Sequence, residues 1–409
     1  MSNVIDMKGP LAETTHLPEA DASRLTALAG AVAGLGVVGC VVAALVDPHH
    51  FAFSYLVGFS YTFTLGLGAL FFVMITHATK AAWSVVVRRH AEWIAASLPV
   101  CILLFIPVVV MAGTIYHEWW PGGASLTDPI LMKKQAWLSQ GFFLVRSFFY
   151  LVVWSVLGWW YAKTSREQDE TGDPQLTVKM QNLSYPMIIV FALTLSFAGF
   201  DWLMSLQPHW YSTIFGVYVF AGAFVTVCAT LALITVAMHR RGYFKRISTV
   251  EHRHDLGKLM FAFTVFWAYI AFSQFFLIWY ANLPEETIFY KTRWEEGWRT
   301  VSLILIFSQF VFPFLYLLSR HPKRSIPALA LGAVVMLFAH YVDLYFLIMP
   351  MADHHHAFHP TLKSVAIDVA GFLGPVGVFL FFVARRAARG PIYPLRDPRL
   401  PETTLTENL

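Results

Sequence analysis

Residues 51–77, FAFSYLVGFSYTFTLGLGALFFVMITH, run for 27 positions without an Asp, Glu, Lys or Arg. As an α-helix such a run is about 40 Å long, more than the ~30 Å of hydrocarbon in a bilayer. A helix in the core of a soluble domain has no reason to stay apolar over that distance. This stretch therefore reads as a membrane span.

Working outward, similar runs recur along the whole 409-residue chain, near 25–46, 94–115, 141–162, 183–206, 213–238, 256–281, 299–318, 325–349 and 364–384. Composition agrees: 57% of residues are hydrophobic and 13% charged, where a soluble chain carries about 25% charged residues. The expectation is an all-α integral membrane protein with about ten transmembrane helices. Residues 1–24 form an N-terminal tail, 25–384 the transmembrane domain and 385–409 a C-terminal tail. The first tail holds Asp6, Glu13, Glu19 and Asp21 and lacks the apolar segment and cleavage site of a signal peptide.

Orientation follows from Lys and Arg, which are retained in cytoplasmic loops. With the N-terminus inside, the cytoplasmic segments collect Lys80, Arg88, Arg89, Lys163, Arg240, Arg241, Arg320, Arg324, Arg385 and Arg386, while the other side keeps few. Both termini are expected in the cytoplasm. The net charge of +4 is modest, and no nucleic-acid partner is expected.

An ionisable residue at the bilayer centre costs at least ~2.5–3.5 kcal/mol, so each one inside a span is a functional candidate. They are Arg146 in the fourth span, Asp201 in the fifth, His340 and Asp343 in the ninth and Asp368 in the tenth. Counting from each span's midpoint puts Arg146 and the three carboxylates roughly 9–10 Å, and His340 roughly 4–5 Å, towards the outer side. His340 and Asp343, three apart, share a helix face. Thr194 and Ser205 share the face of Asp201. Such a layer suits a proton-conducting cavity open to the outside. The structural alternative is that Arg146 neutralises one Asp while the others lie at hydrated helix ends. The inner half offers mainly hydroxyls, so a complete transmembrane path is not expected from this chain alone.

Other chemistry finds little support. Cys40, Cys101 and Cys228 lie singly in apolar runs, without CxxC or CxxCH, and read as inert thiols. A bis-histidine haem needs two imidazoles at matching depth, and only His340 lies well inside a span. His354, His355, His356 and His359 share a loop with Asp353 and read as solvated surface. The connections 200–218 and 280–287 are short, Trp-rich and turned by proline, so Pro208, His209, Trp210, Glu285 and Glu286 are candidates for an outer face that docks a partner or shields a cavity mouth.

Those two connections, together with Ser54 to Phe72, resemble ActF, the family of membrane subunits of bacterial alternative complex III, which belongs with the NrfD/PsrC-like polysulfide reductase membrane subunits. The resemblance implies two four-helix bundles, spans 2–5 and 6–9, flanked by the first and last helices. It implies a location in the bacterial inner membrane and a role as a non-redox subunit of a quinol:cytochrome c, or quinol:acceptor, oxidoreductase of the respiratory chain. Haem c and iron–sulfur clusters would belong to partner subunits, and the quinol to an ActC-like paralogue. Where ActC-like chains carry a Gly-His-Ala-Gly type stretch in the second span, this chain reads Gly68-Ala69-Leu70-Phe71. The implied role is therefore structural, with a possible proton half-channel. A quinol-binding catalytic subunit and an independent secondary transporter are the alternatives. Against the transporter, no pair of corresponding spans is interrupted by Gly and Pro as broken-helix sites require.

Overall fold

The computed structural model describes residues 14–123, 127–243, 247–295, 297–352, 358 and 360–403. The loop with His354, His355, His356, His359 and Asp353 lies outside the described residues, as does most of the N-terminal tail. Among the described residues there are helices and no strands, and nine helices are long and apolar enough to cross a membrane. A tenth span arises if a bent pair is counted as one. The chain is an all-α, multi-span membrane protein.

In chain order the principal helices are α1 (Glu19–Val46), α2 (Pro48–Ala78), α3 (Val85–Ala95), α4 (Val100–Val110), α5 (Gln140–Thr171), α6 (Pro174–Trp202), α7 (Phe215–Arg240) and α8 (Val250–Ala281). Then follow α9 (Pro284–Thr292), α10 (Trp298–Ile306), α11 (Phe312–Leu318), α12 (Ile326–Ile348) and α13 (Leu362–Arg389). Several helices extend beyond the apolar windows, with α5 continuing to Thr171 and α13 to Arg389. Hydropathy marks the apolar part of a helix, whereas the backbone stops only where a cap or breaker intervenes. In α5 that breaker is Gly172, in the left-handed region at φ 71°.

α2 is the axis of the molecule. Asp47 caps it by accepting from the backbone N–H of His50 at 3.1 Å, and Pro48 occupies its first turn. It is buried on every side, as its uniform apolarity requires. Close approach by its neighbours depends on missing side chains. A Cβ at Gly58 would lie 2.3 Å from the carbonyl oxygen of Gly371 in α13, and one at Gly68 2.3 Å from that of Ala223 in α7.

Around α2, α3 to α6 form one set of packed helices, and α7, α8, α10, α11 and α12 form a second. α7 and α12 touch α2 and join the sets, while α1 and α13 pair with each other along α2. Residue Thr15 accepts a hydrogen bond from the N–H of Ile392 at 2.8 Å, which puts both termini at one end of the bundle. The opposite, far end carries the α1–α2 and α12–α13 connections, joined by Lys363 on Asp47 at 2.9 Å.

Two spans are irregular. The third is bent by 41° between residues 82–95 and 100–110, at Ser97 to Pro99, where the sequence suggested one run over 94–115. Its counterpart in the second set, α8, is continuous. The eighth contains a π-helical turn over Phe307–Val311, in which Gln309 is buried.

Candidate functional site

The bend in the third span overturns one expectation, that the inner half offers mainly hydroxyls. At the termini end, α3 carries Arg88, Arg89 and Glu92 into the interior, all almost fully buried. Arg89 reaches Asp169 at 2.5 Å and Glu92 at 3.2 Å. Arg88 pairs with Asp397, and Ser165 donates to Glu92 at 3.0 Å. Sequence reading assigns charged runs to loops. Here the break at Pro99 makes room for a separate amphipathic helix whose charges find partners inside. The C-terminal segment, expected as a tail, is part of this construction: the backbone N–H of Leu395 donates to Asp169 at 2.8 Å, and Thr403 donates to the carbonyl of Ala82 at 2.5 Å. Burial works to raise the pKa of Asp397, but the charge and hydrogen bond of Arg88 outweigh it and hold the carboxyl below its ordinary value.

At the far end the five sequence candidates separate into three groups. Arg146 and Asp201 form a closed ion pair, with Nε and Nη2 of Arg146 each 2.8 Å from a carboxylate oxygen. Trp137 Nε1 and the Tyr150 hydroxyl donate to the same carboxylate at 2.9 and 3.0 Å. The guanidinium also stacks on Trp137 and Phe142, 4.0 and 4.1 Å from their ring centroids. Asp201 is fully buried. Of the residues placed on its face, Ser205 donates to the Asp201 carbonyl at 2.5 Å, whereas Thr194 accepts from Trp154 Nε1.

Asp368, near the start of α13, accepts from Ser54 at 2.5 Å and Tyr345 at 3.0 Å and lies 2.8 Å from His50 Nε2. His50 is partly exposed, so this group borders the surface.

His340 and Asp343 form the third group, buried in the second set against α2. Tyr218 donates to one oxygen of Asp343, and Trp267 Nε1 to the other at 3.3 Å. No Lys or Arg pairs with Asp343 among the described residues. His340 does not bond Asp343 directly. Its Nε2 lies 2.9 Å from the Thr64 hydroxyl, whose own hydrogen is engaged by the Ser60 carbonyl at 2.7 Å. With that hydrogen so engaged, the Nε2–H tautomer fits the contact and leaves Nδ1 without a hydrogen-bond partner among the described residues. Nδ1 and the Asp343 carboxylate both face Gly222, where a Cβ would lie 3.1 Å from the first and 3.3 Å from the second. The imidazole nitrogen and the carboxylate thus flank the same gap over Gly222.

Beside this group the second set encloses a cavity of about 1100 Å³. Tyr218, Trp267 and Gln274 lie along its wall, and Arg293 stands towards its far end. Arg293 is 2% exposed, donates to the carbonyls of Phe346, Leu347 and Phe289 and to Gln207, and stacks 3.6 Å over Phe289. Burial lowers its pKa to about 9, so it stays protonated at neutral pH.

The proposed outer face divides. Pro208 is buried and its carbonyl accepts from Lys134 at 2.6 Å, and Trp210 is buried in a stack 4.0 Å from Phe289. His209 is exposed and lies 2.6 Å from Asp128 and 3.3 Å from Glu118; Glu285 is exposed and Glu286 half-buried in the first turn of α9. Two of the five are thus internal braces.

Tyr218, Trp267, Thr64, Gly222 and Arg293 were missed by sequence reading. Tyr, Trp and Thr carry no charge to betray them in an apolar run, and Arg293 sits in a segment that reads as loop. The fold and site define a polytopic, all-helical membrane protein with buried carboxylates towards both ends. No family model and no curated protein matches the chain.

Proposed function

We propose that this chain is a non-redox membrane subunit of a respiratory quinol:cytochrome c, or quinol:acceptor, oxidoreductase of the ActF type, and that His340 and Asp343 belong to an outer proton half-channel. The observation that carries the proton reading is Asp343: a buried carboxylate bonded to two neutral donors, without a cation, beside a bare imidazole nitrogen. The proton role is assigned to this carboxylate because no guanidinium closes it, as Arg146 closes Asp201. Asp201, with Arg146 against it, is assigned a structural role in this reading. The bias of Lys and Arg towards the termini end supports placing that end in the cytoplasm, with the Asp343 group in the outer half.

Electron-carrying centres, haem c and iron–sulfur clusters, are assigned to partner subunits and the quinol to an ActC-like paralogue. The test uses the intact complex in proteoliposomes. Asp343→Asn combined with His340→Leu should lower protons translocated per electron while assembly and electron transfer persist. Normal pumping by that variant, or no pumping by the wild type, ends the half-channel reading. Photoaffinity labelling with a quinone analogue tests the subunit role: label on this chain and not on the paralogue would make it the quinol-binding subunit. Purification without any haem- or iron–sulfur-containing partner would favour a free-standing transporter.

A further inference from the structure

We infer that the cavity of the second helix set is a lipid site, holding the acyl chains of a glycerophospholipid whose phosphate is met at the far end by Lys291, beside the buried guanidinium of Arg293. The first argument is volume and polarity. At about 1100 Å³ the cavity exceeds the roughly 300–1,000 Å³ usual for small-molecule sites. Its wall is formed mainly by Phe, Trp, Ile and Leu, and water filling such a space would lack hydrogen-bond partners.

The second argument is access. Wall residues Phe272, Phe275 and Trp279 of α8 and Ile306 of α10 are exposed rather than packed over, so the cavity is open along these helices. They belong to helices apolar enough to cross a membrane. The opening therefore faces hydrocarbon, and the chain that fills the cavity enters sideways from it.

The third argument is charge, and it selects the headgroup. Among the described residues, the two charged ones on the wall, Lys291 and Arg293, are both cations and no carboxylate lines it. Neither makes an ion pair among the described residues. Lys291 is exposed at the end of α9, in the connection that follows span α8. A quinone fits less well, because Tyr218 and Trp267, the donors beside Asp343, are both committed to that carboxylate. The site stands independently of the proton reading.

The test is to place the assembled protein in nanodiscs of phosphatidylglycerol and phosphatidylethanolamine, transfer it to detergent, and measure retained lipid by native mass spectrometry. Wild type should keep one phospholipid per chain. Ala271→Trp, which fills the wall of α8, should abolish retention. Lys291→Glu alters an exposed side chain and leaves the fold intact; it should lower retention about fivefold, since a Lys near anionic headgroups contributes ~1 kcal/mol. Absence of bound phospholipid in the wild type, equal retention in both variants, or recovery of a quinone in its place would overturn the assignment.

Discussion

Asp201 and Asp343 occupy corresponding places, each near the far end of the last helix in its set, and their surroundings differ in two respects. Asp201 has a guanidinium with two hydrogen bonds at 2.8 Å. Asp343 has a phenol and an indole. The first set is filled around its carboxylate by Trp202, Trp154, Phe105 and Phe143, whereas the second leaves a large cavity beside its own. The difference teaches that carboxylates at matching places can be held in opposite ways, one closed by a guanidinium and one bonded only to neutral donors.

The sharpest way to break this comparison is to remove the cation. Arg146→Met strands Asp201 as an uncompensated buried charge and should destabilise the protein by ~3–5 kcal/mol, seen as a large drop in melting temperature in detergent. Adding Asp201→Asn should recover much of the loss. If Arg146→Met were silent, the closed pair would not be structural.

A smaller effect is expected from glycine. Gly222→Ala puts a methyl within 3.1 Å of His340 and 3.3 Å of Asp343, and should cost ~1–3 kcal/mol as overpacking. It should also slow proton uptake by closing the gap between those groups. Gly199→Ala, beside Asp201, meets Val219 at an ordinary 3.4 Å and should be tolerated. Equal melting temperatures for the two variants would remove the argument for a reserved gap over Gly222.

Asp343→Asn should cost only ~1 kcal/mol, because the amide keeps one acceptor and no cation is left unpaired. A loss as large as that of Arg146→Met would show Asp343 to be structural as well.

The termini end of the first set gives a pH-dependent prediction. Asp397 has a lowered pKa in the folded protein, so its pairing with Arg88 stabilises fully above the unfolded carboxyl value and is lost as pH falls through the folded one. Hydrogen exchange over residues 391–403 should be unchanged between neutral and mildly acidic pH and rise below about pH 4. The least effect is expected from His209→Ala, whose exposed contacts to Asp128 and Glu118 should leave the melting temperature unmoved.

Spans and intramembrane ionisable residues were legible because transfer into hydrocarbon acts on each residue separately. The run at 51–77, and Arg146, Asp201, His340, Asp343 and Asp368 within apolar stretches, could be found without knowing any neighbour. The uniform layer could not survive folding, because equal depth does not imply a shared cavity. Arg88 and Arg89 were misread for the converse reason: a charge looks like a loop until its partners, here Glu92, Asp169 and Asp397, are brought from up to 309 positions away.

The sequence by itself determined an all-helical membrane protein, its approximate spans and the few positions where charge enters them, since hydrophobic burial is additive along the chain. Only the tertiary structure decided that Arg146 faces Asp201, that Asp343 faces Tyr218 and Trp267, and that the second set is hollow. Those outcomes depend on which helices meet and at what rotation, and electrostatic energy at a few ångströms is a property of pairs.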